Sequence, residues 1–247
     1  MTDPGTLVFV AAVFVLAGLV KGVIGMGLPT IAMGLLAVVM PPVQAAALLA
    51  VPTILTNVWQ MLAGPGLVPL VRRLWSMMLG VCLATWASVG LMTGTTARLG
   101  TVVLGVALVL YAASGLAAVR LPAPGRWERV LSPLLGAATG VIAAATGVFA
   151  IPSVPYLQAI GLEKQELVQA LGLFFTVSTS ALAVNLVIEG GLRLSLAGDS
   201  LMGLVLACAG MWLGQAIRQR LSPAAFRQVF LVGLLLLGVH LAVRSAI

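Results

Sequence analysis

Apolar residues fill eight long blocks along the chain, at about 6–40, 43–63, 75–93, 100–119, 130–160, 167–188, 196–217 and 228–246. Continuous apolar runs of this length predict membrane-crossing helices. Outer-membrane strands would alternate apolar and polar residues, so the pattern excludes a β-barrel. The blocks are punctuated by Pro41-Pro42, by Gly64-Pro65-Gly66 through Arg72-Arg73, and by Gly94 to Arg98. Later breaks fall at Gly161 to Glu166, Glu189 to Leu194 and Arg218 to Arg227. The most hydrophilic stretch, residues 120–129, cuts the chain nearly in half and leaves no room for a soluble domain. The expected organisation is a first membrane repeat at 1–119, a linker at 120–129 and a second repeat at 130–247.

The first block of each half is too long for one crossing. About 35 apolar residues in a single helix would reach about 52 Å, against a hydrocarbon core of about 30 Å. Each block also carries helix breakers in its middle: Gly22, Gly25, Gly27 and Pro29 in the first, Gly140, Gly147, Pro152 and Pro155 in the second. Glycine loosens a helix, and proline removes a donor and clashes with the preceding turn. Each long block is therefore predicted to break in two, as a re-entrant hairpin or as a pair of crossings.

The halves resemble each other. Gly22-Val-Ile-Gly-Met-Gly is echoed by Gly140-Val-Ile-Ala-Ala-Ala-Thr-Gly, Val43-Gln44-Ala45 by Val168-Gln169-Ala170, Asn57 by Asn185, and Thr96-Ala-Arg98 by Ala225-Phe-Arg227. Matches in a common order point to an internal duplication, a habit of secondary transporters.

Composition narrows the class. Of 247 residues, 61% are hydrophobic and 8% charged, which excludes a cytosolic enzyme, a nucleic-acid binder and a disordered chain. The net charge of +7 then reports topology and not a nucleic-acid partner. If each long block crossed once, basic residues would divide seven to five between the two sides. If each goes in and comes back, nine share one side and only Arg98, Arg193 and Arg244 face the other. The second arrangement obeys the positive-inside rule. It puts the linker in the cytoplasm and both termini outside, and it inverts one half relative to the other. The acidic Met1–Gly5 start does not resemble a signal peptide, so the first block is expected to remain as a membrane segment. Cys82 and Cys208 lie in apolar runs without metal-ligand spacing, and are expected to pack as small hydrophobes.

Lys21 is the one basic residue well inside an apolar block; its repeat partner is the neutral Thr139. A cation there is costly and is by default functional, unless it snorkels to an interface. Helix N-termini exposed at a break would offer N–H groups and partial positive charge to an anion. Uncharged polar residues form a second layer, among them Gln44, Thr53, Thr56, Asn57 and Gln60, then Thr146, Ser153, Gln158, Gln169, Thr176, Ser178, Thr179 and Asn185. Such groups can replace the hydration shell of an oxyanion, or simply join helices. No block interior holds an aspartate, His240 is the lone histidine, and there is no CxxC or Walker sequence. Proteolysis, redox chemistry, bound metal or cofactor, and ATP use are not indicated. Glu189 is expected to be a loop charge beside Arg193.

The run Gly18-Leu-Val-Lys-Gly-Val-Ile-Gly-Met-Gly-Leu-Pro-Thr, followed by Pro41-Pro-Val-Gln-Ala and the polar helix to Asn57, resembles the opening repeat of the TauE/SafE sulfite exporter family. Gly136-Ala-Ala-Thr-Gly-Val-Ile through Gly147, Pro152, Gln169-Ala and Asn185 is similar to that family's second repeat. Ala143-Ala-Ala145 stands where the family pattern has more glycine. The resemblance implies an all-α, multi-pass permease of the inner (plasma) membrane that exports sulfite or organosulfonates by alternating access. Its partners would be a small anion and the lipid bilayer, with a homodimer as the assembly to test. The expected substrate-binding residues are Lys21, the backbone of Gly22, Gly25, Gly27, Gly140 and Gly147, and the side chains of Gln44, Asn57, Thr139, Gln169 and Asn185. An anion channel on the same fold and a non-transporting membrane scaffold remain as alternatives.

Overall fold

The computed structural model describes residues 4–92, 97–117, 121–191, 196–218 and 222–246. They form ten α-helices and, among the described residues, no strand. The first half holds α1 (Pro4–Ile24), α2 (Leu28–Leu36), α3 (Pro42–Leu62), α4 (Leu67–Ala87) and α5 (Ala97–Leu116). The second holds α6 (Glu128–Thr146), α7 (Ser153–Ala159), α8 (Lys164–Ile188), α9 (Ala197–Arg218) and α10 (Pro223–Ala246). Seven candidate spans lie on α1, α3, α4, α6, α8, α9 and α10, and α5 carries a shorter apolar stretch, Gly100–Leu116. All five tryptophans, at 59, 75, 86, 127 and 212, are exposed, as are outward-facing leucines and valines on every long helix. A surface of that kind fits a lipid surround, and the chain is a multi-pass membrane protein.

Both long blocks break, and both break unequally: a long helix followed by a short one of nine residues (α2) or seven (α7). Other boundaries also differ from the sequence expectation, α10 starting at Pro223 and not near 228. Arg72 and Arg73, read as loop punctuation, lie in the second turn of α4, which begins at Leu67. Long basic side chains can reach the interface from inside a helix end, so they do not stop it. The helix α8 starts three residues early because Glu163 and Glu166 form a capping box, with the Glu163 N–H donating to Glu166 Oε2 at 3.1 Å. Cys82 is half-buried and Cys208 exposed on α9, so only the former packs inward.

Helix directions follow from close contacts. On α1, Gly18 lies against Ala207 of α9, and Gly22 against Met211 and Gly214, so these two helices run the same way. Gly136 and Gly140 of α6 lie against Met77 and Val81 of α4, again in step. The helices α3 and α8 run oppositely, with Gly172 on Asn57 and Met61 and Gly191 on Val43. The helices α5 and α10 also run oppositely, with Gly105 on Ala242 and Gly115 on Leu231. Ser200, near the start of α9, donates to Leu48 O near the start of α3 at 2.8 Å, taking the carbonyl whose helical donor Pro52 removes. Thus α1, α3 and α9 start on one face, the terminal face, and α4, α6 and α8 start on the other, the linker face. Between α1 and α3, and between α6 and α8, the chain goes in and returns.

The packing has a further regularity. Exchanging each helix of α1–α5 for its counterpart in α6–α10 leaves the main helix pairs unchanged: α1 with α9 becomes α6 with α4, while α3 with α8 and α5 with α10 map onto themselves. The short helix α2 touches α1, α3, α5 and α10, and α7 touches α6 and α8.

Candidate functional site

The two breaks differ in a way their sequences explain. The helix α1 stops at Ile24, and Gly27, at φ +104°, sets the entry to α2. The helix α6 instead continues through Ala143-Ala-Ala145 for an extra turn, because alanine is the best helix former. It ends at Gly147, at φ +69°. Irregular backbone then runs through buried Val148, Phe149 and Ala150 to Pro152, including a cis Ile151–Pro152 bond. Its polar groups are served locally: Val148 N–H donates to Thr146 Oγ1 at 3.1 Å, and the Ser153 hydroxyl donates to Phe149 O. Unwound backbone at this depth is tolerated only inside protein or beside a cavity.

Here both conditions hold. Met33 of α2 fills the space beside Gly147, where a Cβ would come within 2.7 Å of its methyl carbon. A cavity of about 490 Å³ joins the two breaks; Ile24 and Met26 come from the first, Ile151 and Pro152 from the second. Tyr111, Ser114, Gln158 and Arg227 supply its polar lining, and Arg227 stands in the first turns of α10 at the linker face. The Tyr111 hydroxyl approaches Met26 Sδ at 3.8 Å, and Ser114 Oγ donates to Tyr111 O at 2.9 Å.

Lys21 does not point into that cavity. It is 3% exposed and turned toward α3, where its Nζ donates to Thr56 Oγ1 at 3.0 Å and to Asn57 Oδ1. Thr56 in turn donates to Pro52 O at 2.7 Å. No carboxylate is among these partners. Asn57 Nδ2 and, one turn earlier, Thr53 Oγ1 are buried without a hydrogen-bond partner. The cluster is therefore rich in donors and short of acceptors, which is the chemistry of an anion site.

The other predicted residues divide by position. Thr139 is buried and its hydroxyl donates to Leu135 O. Asn185 donates from Nδ2 to Thr85 O at 2.6 Å, with its Oδ1 unpartnered. With Gly140, which packs on Thr85, these make a second polar group toward the terminal face, the counterpart of Lys21 and Asn57. Gln169 clamps the α3–α4 turn, donating to Met61 O and Gly64 O and accepting from the Gly66 N–H at 3.0 Å. Gln44 lines a separate cavity at the terminal face with Glu189. Gly22 and Gly140 sit inside helices, packed closely on α9 and α4; the breaks themselves are at Gly25, Gly27 and Gly147. Glu189 is tied to the α4–α5 connection, accepting from the Gly90 N–H at 2.6 Å; Arg193 lies outside the described residues.

Sequence reasoning missed Tyr111 and Ser114, and read Arg227 as a loop charge. The available signal was rarity: the chain has two tyrosines, and both turn inward, Tyr156 bonding Ser132 at 2.6 Å. No curated protein and no solved structure matches the chain. A family model does, that of the sulfite exporter TauE/SafE, over residues 10–241. Matched over nearly its whole length, with the long helices of a multi-pass membrane protein, the chain belongs to the sulfite exporter TauE/SafE family, whose members are transporters and not enzymes.

Proposed function

We propose that the protein is a secondary carrier that exports a small sulfur oxyanion, sulfite or an organosulfonate, across the inner membrane. Two inverted halves alternate access, and the linker face is cytoplasmic. Inversion is supported by counterpart helices that run oppositely, α3 against α8 and α5 against α10. Orientation is supported by charge. Arg72, Arg73, Arg126, Arg129, Lys164, Arg218 and Arg227 stand at helix ends on the linker face, against Arg98 and Arg244 on the other; Arg120, Arg193 and Arg220 lie outside the described residues. That bias is the positive-inside pattern.

One observation carries the substrate class: the buried Lys21 ammonium is held by neutral oxygens, beside an Asn57 Nδ2 that has no partner. A small anion is the partner that this cluster lacks. The cavity between the breaks, opening beside Arg227, then serves as the cytoplasmic entrance. An anion inside a negative-inside cell is pushed outward by about 2.3 kcal/mol per charge per 100 mV, so efflux requires no coupling ion. The test is flux of labelled sulfite and sulfoacetate in proteoliposomes. Saturation and counterflow are expected. Linear flux without counterflow would make the protein a channel, and no flux of either anion would remove the substrate class.

A further inference from the structure

We infer that Thr53 and Thr179 form a hydroxyl subsite for the travelling oxyanion at the midplane, on the seam between α3 and α8; this rests on the anion-carrier reading above. Among the described residues, five buried side-chain atoms have no hydrogen-bond partner: Thr53 Oγ1, Asn57 Nδ2, Thr179 Oγ1, Asn185 Oδ1 and Glu189 Oε2. The first two are on α3, the next two on α8, and Glu189 is the residue that caps α8. Buried polar groups left unbonded are costly and rare, so their confinement to one helix pair calls for a cause.

The default for a hydroxyl in these helices is different. Thr139, Thr146, Thr176 and Ser178 each donate to the carbonyl four residues earlier, at 2.6–2.8 Å. Thr56 does the same toward Pro52 O. Thr53 and Thr179 do not, although they are only 1% and 5% exposed. They are also level with each other. The antiparallel register fixed by Gly172 on Asn57 and Met61, and by Gly191 on Val43, brings Thr53 opposite Thr179. Both sit near the centres of their helices, Pro42–Leu62 and Lys164–Ile188.

The polar groups on and beside these two helices are thus ordered along the membrane normal. Lys21 and Asn57 lie toward the linker face, the two threonines at the centre, and Asn185 and Glu189 toward the terminal face. A hydroxyl can donate to a sulfite or sulfonate oxygen without adding charge. A neutral central subsite holds an anion firmly enough to admit it and weakly enough to release it.

The test uses the full chain reconstituted in proteoliposomes, with Thr53→Val, Thr179→Val and the corresponding Ser variants. Valine keeps the shape and removes a hydroxyl that has no protein partner, so each Val variant should melt no earlier than the wild type. Each should lose about tenfold to a hundredfold in sulfite kcat/KM, the worth of one hydrogen bond to a charged group. Serine should restore the flux. Val variants that transport like a transporting wild type would overturn the subsite while leaving the carrier. Val variants that lose flux and stability together would show structural threonines and overturn it too. A wild type that moves neither sulfite nor sulfoacetate would overturn the carrier reading, and the subsite with it.

Discussion

Replacing Lys21 by methionine separates a functional cation from a structural one. Methionine matches the apolar stem and removes the ammonium. In stability the change has two opposing parts. An uncompensated lysine at membrane depth costs about 2.5–3.5 kcal/mol on insertion scales, and that cost disappears. The bonds to Thr56 Oγ1 and Asn57 Oδ1 are also lost, at about 1.5–3 kcal/mol each for a charged donor. The net destabilisation is then about 0–3 kcal/mol, or a melting shift of up to about 10 °C for a chain of this size. Transport should suffer far more. An ammonium about 4 Å from an anion contributes about 4 kcal/mol at an effective dielectric of 20, so sulfite kcat/KM should fall by about a thousandfold. Circular-dichroism melting in detergent reports the first quantity and proteoliposome flux the second. Lys21→Met with wild-type flux would refute the reasoning, because Lys21 would then serve only to join α1 to α3. A variant that fails to fold would refute it equally.

Four further substitutions probe the scaffold. Gly22→Ala would place a methyl on the Met211 carbonyl, and Gly140→Ala one within 2.6 Å of Val81 O. Each should lower stability by about 1–3 kcal/mol from overpacking. Gly233→Ala, with nothing within 4 Å of its new methyl, should gain up to about 1 kcal/mol. If Gly22→Ala melts like the wild type yet loses flux, Gly22 acts on the substrate and not through packing. Gln169→Leu removes all three bonds that hold the α3–α4 turn and should cost about 2–4 kcal/mol in thermal unfolding. An unchanged melting temperature would mean that the turn stands without the clamp.

Most of the architecture was legible from residues whose physics is local. Of the glycines and prolines singled out at 22–29 and 140–155, those at 25–27 and 147–152 mark where a helix stops, and excess block length says that it must stop. The arginines choose between one crossing and a return, because like charges at one set of helix ends are a topology signal. Capping and snorkelling blurred the ends: α8 starts at Lys164 and α4 holds Arg72 and Arg73. The alanines at 143–145 prolonged α6, so the second break came a turn later than the glycine pattern suggested.

The site was less legible, since its residues are defined by partners far away in the chain. Gln44 and Gln169 match in the sequence repeat, yet one lines a cavity at the terminal face and the other clamps a turn at the linker face. Asn57 and Asn185 match as well, but one accepts from a lysine and the other donates to the Thr85 carbonyl. Nothing in a run of apolar residues tells which hydroxyl will find its own backbone, as Ser178 does, and which will not, as Thr179 does not.

The most direct test of the account is electrogenic efflux. Sulfite-loaded proteoliposomes, with a potassium diffusion potential set by valinomycin, are followed at zero and at 100 mV negative inside. For each negative charge carried, the equilibrium distribution should shift outward by about fiftyfold, the equivalent of about 2.3 kcal/mol. Saturable efflux should accelerate under the negative potential and slow when its sign is reversed. Efflux of the same rate at both potentials would contradict the account.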